Sequence, residues 1–527
     1  MIINVFKHIC SRKRLDYIVN SAVSMEVTFI LSRFFSSVLF SVSAKLLGKL
    51  LGLFSTFVTA RILAPEDFGL IAIISIALYF FDILSHAASE QYIVRKRTIS
   101  FIDYNTAWSL NLCLKCGVSL LVILLSPLIS SFFDNSDLTF AFAISALVLP
   151  LQALKSPGLL LARRQLRFEF LFWHSFGERL FAVPVLIALA LWLESFWAFI
   201  LTDLLSGLFG ALLSYILLGR FPKFSLTSAK TQWAFSKWML AKSVVGYLRS
   251  QVDTIFVAKH FSPFQLGQYH MARELAMMPA HYALSPAIEP LLTVFKNTKR
   301  NIHDLLDKVS FSIYVTMVVA LPIGAILVIF SQPVVHLLLG EQWQLASSLL
   351  PVLSLLFLYW SISQIVELAF VALGKVKLLF LYDVMSLTLI TVTLLTCLFV
   401  DATLLSFAVS RVVSGTVAMM LFLFVLYRGN TRLLKPLLGP IFMAATALVV
   451  AFVPSYMLTR SIPFIETLTL SNVLIVVFSI AFSVITYFLM IIVGARFIRF
   501  KYCSTCELFL REKMSQFAGK RFSQQKD

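Results

Sequence analysis

Ala60-Arg-Ile-Leu-Ala-Pro65-Glu-Asp-Phe-Gly69 and Ala258-Lys-His-Phe-Ser-Pro263-Phe-Gln-Leu-Gly267 are two copies of one pattern, A-[RK]-x-[LF]-[AS]-P-x-x-[FL]-G, set 198 residues apart. Each follows one long apolar run and precedes another. Proline cannot continue a helix, and glycine lets the chain re-enter tightly, so each copy reads as a helix–corner–helix turn. At the same spacing Gly48 meets Gly246 and Thr56 meets Thr254. Ser126-Pro127 and Gln332-Pro333, each expected to close a third span, correspond at a spacing of 206. The copies occupy equivalent places in two blocks of six apolar runs. Six is even, so the blocks share one orientation and are related by an axis along the membrane normal.

Composition agrees. Of 527 residues 59% are hydrophobic, only 13% are charged, and 50 are Phe. A soluble globule carries about 25% charged residues, so that class is excluded. Apolar runs of about 20 residues, enough for a helix to cross ~30 Å of hydrocarbon, recur about fourteen times. They are continuous, which excludes a β-barrel, whose strands alternate over about ten residues. The fold class read from the chain is therefore an all-α integral membrane protein of about fourteen spans: two six-helix lobes around a central cavity plus two extra C-terminal helices. The expected divisions are a basic tail over 1–34, an N-lobe over 35–220, a C-lobe over 221–430, spans 13 and 14 over 431–495, and a basic tail over 496–527. Met25 is a second candidate start, because the first span does not need what precedes it.

The net charge is +18, from 44 Lys and Arg against 26 Asp and Glu. Sorted by loop, the outside segments hold only Arg61, Lys259 and Arg460, and nearly all other loop cations fall on the opposite side. Cytoplasmic loops carry excess Lys and Arg, so both termini are expected in the cytoplasm, and nucleic acid is not an expected partner. The six cysteines suggest no disulfide framework, and Cys503-x-x-Cys506 has no further ligands nearby for a metal. No catalytic constellation and no nucleotide-binding G-x-x-x-x-G-K-[ST] is present. An enzyme is not expected.

The informative residues are cations inside the spans. A cation at mid-bilayer costs at least ~2.5–3.5 kcal/mol on insertion scales, so each must snorkel, pair or face a wet cavity. Lys45 and Lys49 lie one helical turn apart on span 1 with like charge; an anionic ligand or an acid from another helix, with Asp82 the candidate, should meet them. Lys115, Lys242, Arg249 and Arg411 are expected to extend the same basic surface. Arg249 and Asp253 are spaced for mutual neutralisation, and either Arg273 or Glu274 can bridge to Asp253. Lys155 is expected to snorkel, and Arg179 to form a structural pair or meet substrate.

The ordered motifs from Gly48 to Gly69, Asp253-Thr-Ile-Phe-Val-Ala to Leu266-Gly-Gln-Tyr-His-Met-Ala, and Ala372-Leu-Gly-Lys-Val-Lys resemble the Wzx-type polysaccharide-repeat flippases of the multidrug/oligosaccharidyl-lipid/polysaccharide exporter superfamily. The likeness covers roughly residues 36–495. It implies a multi-pass protein of the bacterial inner membrane that moves undecaprenyl-diphosphate-linked oligosaccharide repeat units to the outer leaflet by alternating access. It implies membrane lipids, a polysaccharide polymerase and a chain-length regulator as partners. No cofactor is implied beyond coupling to H⁺ or Na⁺, with Asp253, Glu274 and Asp82 the candidate acids. A peptidoglycan-precursor flippase and a multidrug antiporter of the same superfamily are the alternatives, and a basic face argues against a carrier of organic cations. A membrane polymerase or ligase would call for a sizeable outside loop, and every outside loop here is short.

Overall fold

The computed structural model describes residues 47–48, 50–85, 93, 96, 99–165, 167–460 and 470–498, and among them every regular element is helical. The first half holds α1 (Leu50–Ile62), α2 (Pro65–Ser85), α3 (Phe101–Phe132), α4 (Leu138–Ser145), α5 (Val148–Ala153), α6 (Gly158–Arg164), α7 (Phe168–Leu193) and α8 (Trp197–Leu218). The second half begins with α9 (Ala229–His260), α10 (Pro263–Pro279), α11 (Ser285–Ile288), α12 (Leu291–Thr298) and α13 (Ile302–Ile329). It continues with α14 (Ser331–Leu338), α15 (Gln344–Leu353), α16 (Leu355–Ala372), α17 (Val376–Val400) and α18 (Leu404–Tyr427). Two more helices follow, α19 (Lys435–Arg460) and α20 (Leu470–Ile498).

Among the described residues ten helices are long and apolar enough to cross a bilayer, and the pair Leu138–Ala153 with Gly158–Arg164, bent by 58°, makes an eleventh if it counts as one span. The other expected spans are helical but fall short of that standard for local reasons. Only the end of span 1 lies within the described residues, α9 carries Lys242, Arg249, Asp253 and Lys259 along its length, and α10 gives way at Pro279 to a π turn over Ala280–Leu284.

Both corners form as the motif predicts. α1 stops at Ile62 and α2 starts on Pro65; α9 stops at His260 and α10 starts on Pro263. Proline suits the first helical position, where no amide donor is needed. Ser262 caps α10 reciprocally with Gln265, whose backbone N–H donates to Ser262 Oγ at 3.3 Å while Gln265 Oε1 accepts from the Ser262 N–H at 3.2 Å. At the first corner Asp67 instead accepts the Phe196 N–H at 2.8 Å, tying α2 to the start of α8.

The two corners pack on each other. A Cβ at Gly69 would overlap the Pro263 carbonyl, and a Cβ at Gly267 would overlap the Pro65 carbonyl. The contact is reciprocal, so the repeated glycine serves less for the turn than for backbone-to-backbone approach of α2 and α10. A short 3-10 turn, Glu341–Trp343, lies across this seam. Gln342 Nε2 donates to the Ala60 and Leu63 carbonyls at 2.6 and 2.9 Å, and Trp343 Nε1 donates to Ala60 at 2.9 Å. These are the end carbonyls of α1, which have no partner within their own helix. Buried Gln268 braces the turn, donating to the Gln342 carbonyl at 2.7 Å and accepting from the Ala346 N–H at 2.8 Å. Arg61 donates to the Leu337 carbonyl, and Lys259 pairs with Asp134 at 2.5 Å. Every one of these bonds except those of Gln268 joins the first half to the second.

One expected boundary is corrected. Pro127 does not close its helix: α3 runs on to Phe132. A proline cannot donate to the carbonyl four residues back, here Ile123, but Ser126 Oγ donates to that carbonyl at 2.8 Å and fills the gap. At the equivalent place in the second half the chain does break, at Phe330, and Pro333 lies in the separate α14. The last two helices pack on α13, where Tyr487 Oη donates to the Val318 carbonyl at 3.1 Å, and join each other through Ser455 and Ser483 at 2.6 Å.

Candidate substrate cavity

A cavity of about 470 Å³ lies between α2, α9, α10, the π turn, α16 and α18. Arg249, Arg273 and Arg411 line it together with Tyr79, Tyr247, Tyr359, Trp360 and Glu274. At 1.5 Å per helical residue, Arg249 and Arg273 lie roughly 15 Å below the corners, near mid-membrane. Tyr247 reaches across to the first half, donating to the Ile76 carbonyl at 2.7 Å, and its ring lies 5.2 Å from Tyr79.

Behind this wall the arginines are held chiefly by two buried acids, Asp253 and Asp383. Asp253, 1% exposed, accepts from Tyr269 Oη at 2.8 Å and lies 3.3 Å from Arg273 Nε and 3.4 Å from Arg411 Nε. Arg273 also donates to Gln251 at 3.1 Å, to Thr254 at 3.3 Å and to the Ser250 carbonyl. Arg411 donates to Tyr359 Oη at 2.6 Å. Arg249 meets Asp383 at 2.9 Å and Glu367 at 3.7 Å. Asp253 and Asp383 are less exposed than the arginines they hold and lie outside the cavity lining, so a solute in the cavity meets three guanidinium groups and the single carboxylate of Glu274.

The expected Arg249–Asp253 pair is corrected: Arg249 turns to α16 and α17, and Asp253 takes Arg273, as one expectation had it, and Arg411 besides. Asp383, Glu367, Tyr269 and Tyr359 were missed, and an inventory of acids within the spans would have flagged the two carboxylates. Lys115 is buried away from the cavity lining, 2.8 Å from Asp82 and donating to Gln152 at 3.2 Å. Asp82 thus meets Lys115. Lys155 does not snorkel freely but pairs with Glu178 at 2.8 Å. Lys242 is half-buried and makes no ion pair among the described residues, and Glu274 makes none either. Lys45 and Lys49 lie outside the described residues, as do both tails with Met25, Cys503 and Cys506. No cluster of three or more metal-ligating side chains occurs among the described residues.

The Lys115–Asp82 pair carries a test of structural role. Lys115→Met alone should destabilise the protein by about 3 kcal/mol, because it takes a close cation partner from the Asp82 carboxylate. Lys115→Met with Asp82→Asn should recover most of that, read as the thermal midpoint of the purified protein.

A family profile described as "Polysaccharide biosynthesis protein" matches residues 58–348, just over half of the chain. The lipopolysaccharide biosynthesis protein WzxC of Escherichia coli (strain K12) is 26% identical over 58% of this chain and 62% of its own length. The succinoglycan biosynthesis transport protein ExoT of Rhizobium meliloti (strain 1021) is 22% identical over 56% of this chain and 61% of its own length. The matched stretch thus spans about three fifths of these relatives. Among solved structures, the lipid II flippase MurJ in an inward closed conformation aligns with 87% of this chain and 99% of its own at a TM-score of 0.66 and 13% identity. An inward-facing multidrug transporter of the MATE family aligns with 74% of this chain and 96% of its own at a TM-score of 0.54 and 13% identity. At such identities these two likenesses speak for the fold alone. From the profile match, the chain belongs to the family of polysaccharide biosynthesis membrane proteins, the Wzx-type group that its repeat motifs resemble.

Proposed function

We propose that this protein moves an undecaprenyl-diphosphate-linked oligosaccharide repeat unit from the inner to the outer leaflet of a bacterial inner membrane, with both termini in the cytoplasm. The observation that carries this reading is the cavity wall: guanidinium groups at mid-membrane with their counter-acids set behind them, among four aromatic rings. Arginine forks match phosphate oxygens, and tyrosine and tryptophan offer both a flat apolar face and a hydrogen-bonding edge to sugars. An unassisted ion would face an idealised transfer cost on the order of 20 kcal/mol, and the cavity replaces that barrier with a polar path while the polyprenyl chain stays in lipid. Closure at the corner seam supports alternating access, in which the opposite end admits substrate first. A polysaccharide polymerase and a chain-length regulator would act on the delivered unit. If H⁺ or Na⁺ drives the cycle, Glu274 is the residue to handle it, because Asp253 and Asp82 are committed to cations.

The test uses purified protein in vesicles carrying lipid-linked oligosaccharide, with an impermeant glycosidase to report the outer leaflet. Protein-dependent flipping at least tenfold above protein-free vesicles is expected; equal rates would remove the reading. In the same vesicles Glu274→Gln should abolish stimulation by an ion gradient while leaving downhill flipping intact.

A further inference from the structure

Arg179 stands apart from the other arginines within the spans. It sits on α7 about 15 Å in from Glu169 at the helical rise, which is mid-depth in that span, and its side chain is exposed on the protein surface. Arg249, Arg273 and Arg411 each meet an acid, whereas Arg179 makes no hydrogen bond and no ion pair among the described residues. Its neighbour Glu178 is turned away to Lys155. The arginine lies across the first span: its Cγ is 3.9 Å from where a Cβ at Gly48 would be, and its Nη1 is 3.9 Å from a Cβ at Gly52. Two glycines one turn apart form a shallow groove that accommodates the side chain. Tyr282, in the second half just past the cavity-lining His281, and Asp203, on α8, both lie within the electrostatic reach of its charge. The group is thus at the junction of the halves, outside the wall of the described cavity.

An arginine at this depth whose donors meet no partner among the described residues is costly unless something completes it. We propose that Arg179, held in the Gly48/Gly52 groove, is a second oxyanion contact that grips a phosphate oxygen of the lipid-linked substrate from the first half. The inference rests on the reading above and assigns it a residue. Asp203 is near enough to balance the charge while the site is empty, but it takes up none of the five N–H donors. The same carboxylate repels an arriving anion, so the grip is limited, and a carrier must release what it binds. The glycines act as positioning residues: they touch no substrate but decide where the guanidinium lies.

The experiment measures binding of undecaprenyl diphosphate and of undecaprenol to the full-length protein in nanodiscs. Arg179→Gln should weaken diphosphate binding about ten- to a hundredfold, the range for hydrogen bonds to charged groups, and leave undecaprenol binding unchanged. Gly52→Leu, which keeps the arginine but fills its groove, should lose a similar factor, whereas Gly52→Ala should lose little because 3.9 Å is an ordinary contact. Unchanged diphosphate affinity in Arg179→Gln would overturn the proposal. So would a loss of thermal stability in Arg179→Gln that Asp203→Asn restores, since that is the behaviour of a structural pair. A wild-type protein that does not prefer the diphosphate to the alcohol would instead remove the substrate reading itself.

Discussion

Asp253→Ala is expected to deplete folded protein from the membrane. The carboxylate is 1% exposed and stands between Arg273 and Arg411 at 3.3 and 3.4 Å, with Tyr269 as its third partner. Removing it leaves two largely buried cavity-wall cations without their shared counter-charge. Breaking one buried pair from one side costs about 3–5 kcal/mol, and here two cations lose their common partner. A membrane domain with a net stability of about 5–15 kcal/mol has little left after that. Detergent-solubilised Asp253→Ala should run as aggregate, or melt well over ten degrees below wild type. Adding Arg411→Met should recover part of the loss, because one arginine then needs no partner. Wild-type melting of the single variant would mean that water, not Asp253, satisfies the arginines.

The second large effect is expected at the corner seam. Gly69→Ala places a methyl group on the Pro263 carbonyl, and Gly267→Ala places one on the Pro65 carbonyl. Both obstacles are backbone at the first turn of a helix, so no rotamer change relieves them, and α2 and α10 must separate. Overpacking of this kind costs roughly 1–3 kcal/mol, and here the cost falls on the closed arrangement alone. Each variant should therefore fold, yet favour an open corner end. Cysteines placed at Glu66 and Phe264 should crosslink at least fivefold less in either variant than in the parent, and polymer export should fall at least tenfold. Undiminished crosslinking would show that the seam absorbs a methyl without moving.

Local signals carried the architecture. Pro65, Gly69, Pro263 and Gly267 announced two corners because a proline and a glycine act on their own few residues, wherever the rest of the chain lies. The identity of ion-pair partners was less accessible. Arg249 and Asp253 have the right spacing on one helix, but α17 and α16 bring Asp383 and Glu367 to Arg249, and no local rule states how helices from distant parts of the chain rotate toward one another. Lys155 fell to the same limit, its partner Glu178 being on another span. Pro127 misled for the opposite reason: a serine hydroxyl one residue earlier repaired the helix that the proline should have ended. The glycines were read for turning, and the structure adds that each one makes room for the other half of the protein.

The turn at Gln342 and Trp343 has a consequence for kinetics. Its bonds go to peptide carbonyls at a helix end, on Ala60 and Leu63, which the seam buries, while Gln342 itself is open to solvent. When the halves part, water can take over each bond at once, so release trades like for like and the transition state need not hold a bare carbonyl. The first half has Ser136 and Asp137 at the corresponding positions, where the Asp137 N–H bonds locally to Asn135 at 3.0 Å. Fastening is thus one-sided, and unfastening should be fast compared with the passage of a bulky solute.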